Sequence, residues 1–220
     1  MRTVIFDLDG TLADTSGDLI AAANACFRAL GHGDVLDPGT DQGTALRGGR
    51  AMLALGFERL GAPEPALVER EFPKFLAHYA RDLDRHSRLY PGVEPALEGL
   101  LAAGYRIGIC TNKPEGLAEE LMQRLGVRHL FGSLIGADTL PVRKPDAAPV
   151  REAVARAGGS VARAVLVGDT VTDREAARAA GVASLLVTFG PDGGAVAALE
   201  PDGLLDSYAG LAPAVERLIG

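Results

Sequence analysis

The sequence predicts an α/β fold: a doubly wound parallel sheet, interrupted after its first strand by an all-helical insertion. Two patterns carry that expectation. Short apolar runs alternate with helical stretches through most of the 220 residues, an order that favours a parallel sheet with helices on both faces. Between about Thr15 and Arg88 the alternation stops and only helical spacing is left.

Taken in order, the first strand is Thr3 to Leu8, a β-branched and aromatic run that ends in acidic residues. The insertion follows. Leu19, Ile20, Ala23, Cys26, Phe27 and Leu30 recur at helical spacing, as do Leu67, Val68, Phe72, Phe75, Leu76, Tyr79 and Leu83. Pro91 and Gly92 mark a turn, after which the pattern gives a helix over Val93 to Ala103, a strand over Tyr105 to Cys110 and a helix over Glu115 to Leu125. Pro114 stands where a first helical residue is expected. Then come a strand at Ser133 to Ile135, a helix at Asp146 to Ala157, a strand at Arg163 to Val167, a helix at Asp173 to Ala180 closed by Gly181, and a strand at Ala183 to Thr188. The stretch FGPDGGAVAALEPDG reads as loop. Residues 1–14 and 89–220 are thus expected to form a Rossmann-like core, and 15–88 a helical lid over one sheet edge.

Composition narrows the class. A chain with 47% hydrophobic residues is long enough for one full core plus a small second unit. No run of about 18 apolar residues occurs, and Asp7 and Asp9 stand where a signal peptide needs its apolar stretch, so a cytoplasmic protein without membrane contact is expected. Cys26 and Cys110 read as small buried hydrophobes, not as a disulfide framework. A formal net charge of -7 argues against a nucleic-acid partner, because phosphate backbones are bound through basic surfaces. His32, His78, His86 and His129 lack metal-ligand spacing and are expected at the surface.

Chemistry gathers at the ends of the expected strands. Residues two apart in an extended chain point the same way, so Asp7 and Asp9 can face one site at the carboxyl end of the first strand, with Gly10 permitting a tight turn. Alone, such a pair also suits an acidic loop on a solvated rim. In IGICTNKPEG, Thr111 and Asn112 follow a strand and precede a helix whose positive end makes an anion seat; an ordinary helix cap is the alternative. Lys144, in LPVRKPDAAP, would hold a compact cation at the sheet edge. In AVLVGDTVTDREAARAAG, Asp169 ends a buried strand and Asp173 follows in the first turn of the next helix.

With DLDGT, TN, KP and GDxxxD in that order and spacing, the chain resembles the haloacid dehalogenase superfamily of phosphohydrolases over nearly all its length. The helical insertion resembles that family's cap, the element that selects substrate. TNKP, LPVRKPD and YPGV further resemble the phosphoglycolate phosphatase subgroup; Ala147 departs from it, standing where a second proline usually follows KPD. The resemblance implies a nucleophilic Asp7 that forms an aspartyl phosphate, Asp9 as acid and then base, and Thr111, Asn112 and Lys144 on phosphoryl oxygens. It also implies metal ligation by Asp7 and Asp169, by the Asp9 backbone carbonyl, and by Asp173 in support.

The charge count agrees with such a set. Four carboxylates and a phosphate ester bring roughly six negative charges, which call for a divalent cation besides Lys144. A hard cation with oxygen ligands means Mg²⁺. In ALRGGRAML, Arg47 and Arg50 flank a Gly48-Gly49 turn, and either arginine suits a substrate carboxylate; a solvated helix end is the competing reading. The expected partner is a small phosphorylated metabolite, most favourably 2-phosphoglycolate, acted on by a monomer or homodimer. A β-phosphoglucomutase-like transferase, a phosphatase for another ester and a non-catalytic phosphometabolite sensor are the alternatives. Carbon–halogen hydrolysis is disfavoured because it does not need Asp9. A P-loop reading of Gly43 to Gly49 fails for want of its lysine, and no G-x-G-x-x-G follows the first strand.

Overall fold

All four residues of the first strand, β1 (Thr3–Phe6), are buried, which a strand covered on both faces requires. The computed structural model describes residues 1–220. After β1 come β2 (Ala13–Asp14) and four helices, α1 (Ser16–Ala29), α2 (Gln42–Ala45), α3 (Gly49–Arg59) and α4 (Pro65–Arg81). Strand β3 (Arg88–Leu89), the partner of β2 in a two-stranded ribbon, returns the chain. Then follow α5 (Val93–Ala102), β4 (Arg106–Cys110), α6 (Glu115–Arg124), β5 (Ser133–Ile135), α7 (Ala147–Arg156), β6 (Ala164–Gly168), α8 (Val171–Ala180), β7 (Ala183–Val187), β8 (Gly203–Leu205) and α9 (Leu211–Ile219). The chain divides into two compact units, Met1–Ala13 with Leu89–Gly220, and Asp14–Arg88.

The larger unit is a six-stranded sheet in the order β5-β4-β1-β6-β7-β8, with every pairing parallel. Its fold class is the doubly wound one expected from the alternation of strands and helices. The chain runs outward from β1 through β4 to β5, then returns to β6 on the other side of β1 and runs outward again. That reversal makes a switch point at β1, where open α/β sheets place their ligands. One core cluster joins Ile5 and Leu166 of the sheet to Val150, Ala153 and Val154 of α7 and to Ala176 and Ala177 of α8. Helices α5 and α9 pack against the sheet as well.

Several boundaries differ from the sequence expectation for identifiable reasons. Pro114 has φ -52° and ψ 137°, so it caps α6 from outside instead of opening it. Helix α8 begins at Val171, because Thr170 is extended and serves as its N-cap, which puts Asp173 inside the first turn. Strand β8 is only three residues long, too short to show alternation, and residues Gly193–Leu199 within the expected loop form a 3-10 helix. Gly181 ends α8 in the left-handed region, as its position after the helix predicts. Both cysteines are free and buried. No helix is long and apolar enough to cross a membrane.

In the smaller unit, α1, α3 and α4 pack together. Phe27 and Phe57 meet edge to face with centroids 5.3 Å apart, and Gly56 lies so close to the Phe27 ring that a Cβ there would overlap it. Asp18, 2% exposed in the first turn of α1, accepts from the backbone amides of His86 and Ser87 and from the Ser87 hydroxyl at 2.7–3.0 Å. A buried carboxylate with these donors ties the start of the unit to its end. Asp18→Ala strands the donors in a buried place and is expected to cost about 3 kcal/mol in urea unfolding.

Candidate active site

The site begins with β1 and β6, which are neighbours in register, Phe6 opposite Val167. The Asp7 amide donates to the Val167 carbonyl at 2.8 Å, so Asp7 and Asp169 follow the ends of adjacent strands. The carboxylate oxygens of Asp7, Asp169 and Asp173 lie within 4.8 Å of one another. Gly10 allows that approach. Its φ is +82°, and a Cβ there would strike the Asp169 carboxylate, so both conformation and space require glycine.

One cation links two of the three carboxylates. Lys144 is 2% exposed; its Nζ lies 2.7 Å from Asp173 Oδ1 and 3.0 Å from Asp7 Oδ1. Burial works against its charge, but the carboxylates of Asp173 and Asp7 outweigh burial and raise its pKa above the ordinary lysine value. Three carboxylates against one ammonium leave the cluster two positive charges short of balance. The electrostatics record that deficit. Burial, together with the charges of Asp173 and Asp9, pushes the Asp7 carboxyl up to about 6, although Lys144 pulls the other way. Asp169 is raised well above the usual carboxylate range, chiefly by burial and then by Asp173 and Asp7.

The three carboxylates have different surroundings. Asp7 Oδ1 accepts from the Leu8 amide at 2.7 Å and meets Lys144. Asp169 is fully buried; its Oδ1 accepts from the Thr11 hydroxyl at 2.9 Å, while its Oδ2 has no partner at all. Asp173 is engaged on both oxygens, Oδ1 by Lys144 and Oδ2 by the Asp169 amide and the Thr170 amide and hydroxyl. An orphaned buried oxygen inside an all-oxygen donor set that lacks two positive charges fits a divalent cation. Asp7 and Asp169 are the residues that would hold it, with Asp173 bracing Lys144 and the turn after β6.

The remaining expected residues fall into two groups. Thr111, 3% exposed, follows β4, and its Oγ1 accepts from the Lys113 amide at 3.2 Å. Its hydroxyl hydrogen is left for an oxygen ligand. Asn112 is exposed and donates from Nδ2 to the Lys144 carbonyl at 3.0 Å, tying the loop after β4 to the loop that carries Lys144. The expected anion seat at the start of α6 is already used. The Glu115 amide donates to Asp138 Oδ1 at 2.7 Å, so a carboxylate of the chain itself occupies the positive helix end. In the smaller unit, Arg50 is a fork on Glu69, at 2.7 and 3.0 Å, and stacks over Phe72 at 3.6 Å from the ring centroid. A substrate carboxylate would have to compete with Glu69 for that guanidinium, although exposed pairs of this kind are weak. Arg47 is exposed in the turn before Gly48 and α3.

Sequence reasoning passed over Lys113. It is 6% exposed, and its Nζ lies 2.8 and 2.9 Å from the two oxygens of Asp9, so a second buried cation fixes the second aspartate. Its place beside Asn112 in TNKP was the available signal. Cys110, beneath the site, is inert: burial pushes its thiol up to about 12.

Residues 4–187 match the model of the haloacid dehalogenase-like hydrolases. The chain belongs to that family. It is 40% identical over 221 residues to a phosphoglycolate phosphatase of Agrobacterium fabrum, covering 98% of this chain and 93% of that protein. It is 40% identical to another of Caulobacter vibrioides, over 94% of this chain and 87% of that one. Among solved structures, a predicted phosphoglycolate phosphatase from Haemophilus somnus superposes with a TM-score of 0.84 at 26% identity, covering 97% of each chain. The crystal structure of CbbY from Rhodobacter sphaeroides in complex with phosphate superposes at 0.75 with 23% identity, covering 96% of each chain, and supports the fold alone. Ala147, the departure from the subgroup pattern, is the first residue of α7 and packs partly buried against the core, at a position where proline and alanine both suit a helix.

The raised Asp7 pKa makes a signed prediction. A carboxyl at about 6 folded against 3.8 unfolded keeps its proton longer in the native state. Stability therefore falls as pH rises from about 4 to about 6, and the deficit stays constant above that. In chelator at pH 8, Asp7→Asn should be more stable than the parent chain by about 3 kcal/mol, with the difference vanishing below pH 4, as read by urea unfolding across pH.

Proposed function

We propose that this protein is a Mg²⁺-dependent phosphomonoesterase that acts on a small phosphorylated metabolite, most favourably 2-phosphoglycolate, through an aspartyl phosphate on Asp7. The observation that carries the reading is the Asp7–Asp169–Asp173 cluster, which has a single buried ammonium and a bare buried oxygen on Asp169. Family membership and phosphoglycolate phosphatases at 40% identity support the reaction and the substrate.

Bound Mg²⁺ would balance the carboxylates and polarise the phosphoryl group as a Lewis acid. Asp7 attacks phosphorus in line with its carboxylate, splitting the hydrolysis into two displacements. Lys144 stays cationic and holds Asp7 in position while charge passes to the phosphoryl oxygens, and the Thr111 hydroxyl donates to one of them. Asp9 gives a proton to the departing alkoxide and later takes one from the water that cleaves the aspartyl phosphate. The Asp9–Lys113 pair is the form suited to that second, proton-accepting role. The cap of residues 15–88 selects the ester in this reading, and Arg47 is the arginine proposed for the substrate carboxylate.

Four measurements test this. A panel of small phosphate esters should release inorganic phosphate with Mg²⁺ and lose it in EDTA, with 2-phosphoglycolate the best substrate; activity undiminished by EDTA would refute the metal dependence. Asp7→Asn should lower kcat by at least about 10⁴-fold, and near-native turnover would exclude Asp7 as nucleophile. Asp9→Asn, given an aryl phosphate whose leaving group needs no proton, should release about one equivalent of phenolate and then stall with phosphate bound to the protein. Arg47→Ala should lower kcat/KM for 2-phosphoglycolate more than for a neutral two-carbon phosphate; equal losses would remove Arg47 from substrate recognition.

A further inference from the structure

We propose that Tyr208, which lies 199 residues beyond the DLDGT motif's second aspartate in no recognised motif, is a positioning residue for the cation site, acting on Asp169 through Thr11. The inference rests on the reading of Asp169 as a direct ligand. Tyr208 lies in a short 3-10 turn after β8 and is 2% exposed. Its phenol donates to the Thr11 carbonyl at 2.8 Å, and the Thr11 hydroxyl in turn donates to Asp169 Oδ1 at 2.9 Å. The chain of contacts therefore runs from the carboxyl-terminal segment into the loop after β1 and ends on the oxygen next to the bare one.

The physical reason lies in the freedom of a carboxylate. Asp169 is held through Oδ1 alone, with Thr11 as the donor, and that one bond fixes the rotation of the carboxylate and with it the bare, buried Oδ2 beside Gly10. Thr11 itself has a weak local anchor, an amide donating to the Leu8 carbonyl at 3.3 Å, so the bond from Tyr208 fixes the backbone that carries the hydroxyl. Tyr208 is placed by packing. Its ring lies 5.5 Å from Phe189, and Phe189 lies 4.9 Å from Tyr90. The next residue, Gly190, walls Asp169 directly: a Cβ there would lie 3.1 Å from both the Asp169 Cβ and the Gly10 carbonyl. Burial also raises the Tyr208 phenol well above its ordinary value, so it remains a donor. Partners that orient a ligand's second atom are worth about 10- to 100-fold in metal affinity.

A buried tyrosine hydroxyl needs some partner in any protein, and the test separates that requirement from positioning. Mg²⁺ binding is measured calorimetrically on the full chain without substrate, alongside the melting temperature in chelator. Tyr208→Phe and Thr11→Val should each weaken Mg²⁺ binding about tenfold, and Thr11→Ser, which keeps the hydroxyl, should bind like the parent chain. The double variant Tyr208→Phe with Thr11→Val should bind no more weakly than Thr11→Val alone, because the two residues act in one chain. Parental affinity in Tyr208→Phe with only a lower melting temperature would overturn the proposal, as would parental affinity in Thr11→Val or additive losses in the double variant. Asp169→Asn is the reference. If it loses Mg²⁺ while Tyr208→Phe keeps it, the positioning role alone fails; if it binds Mg²⁺ like the parent, the ligand reading fails and the proposal with it.

Discussion

The constraint on which the site depends is electrostatic: three carboxylates crowd together at the ends of two neighbouring strands and the first turn of the next helix, and one buried ammonium pairs with two of them, Asp7 and Asp173. Such a cluster is costly in isolation, because each charge gives up its hydration and the like charges repel. It persists because each oxygen but a few is held by a named donor, and because the sheet fixes where the strands end. The raised pKa values of Asp7 and Asp169 are the visible cost. A stabilised fold would have placed apolar residues here; a fold that binds a cation and an anionic ester together needs this imbalance.

The surrounding structure serves that imbalance at successive distances. The topological reversal at β1 brings the loops after β1, β4 and β6 to one edge. Gly10 lets the first of those loops close over Asp169, and Thr11 then fastens it. Asn112 ties the loop after β4 to Lys144, and Asp173 ties Lys144 to the turn after β6. The two lysines divide the labour. Lys144 is shared between Asp7 and Asp173, whereas Lys113 belongs to Asp9, which keeps the two aspartates of the first loop on separate cations.

Much of this was legible in the chain itself, because strand ends are marked by abrupt changes from apolar to acidic residues. Asp7, Asp9 and Asp169 each stand at such a change, Lys144 stands in the loop before α7, and the structure brings Asp7, Asp169 and Lys144 together with Asp173. What escaped the sequence depends on contacts between distant segments. Lys113 looks like any lysine before a proline until Asp9 is found beside it. Tyr208 looks like a core aromatic until its hydroxyl is seen on Thr11. Asp138 caps α6 from 23 residues away, at the helix end where an anion seat is expected, and Glu69 pairs with Arg50. Pairings of this kind have no local periodicity to reveal them.

A divalent ion held between Asp7 and Asp169 would supply the missing charge. Anomalous diffraction from crystals of the full chain soaked in Mn²⁺, which substitutes for Mg²⁺ at oxygen sites, tests it directly. The account predicts one peak about 2.1 Å from a carboxylate oxygen of Asp7 and from Asp169 Oδ2. No peak there, or an ion bound elsewhere with Asp169 Oδ2 still bare, would contradict it.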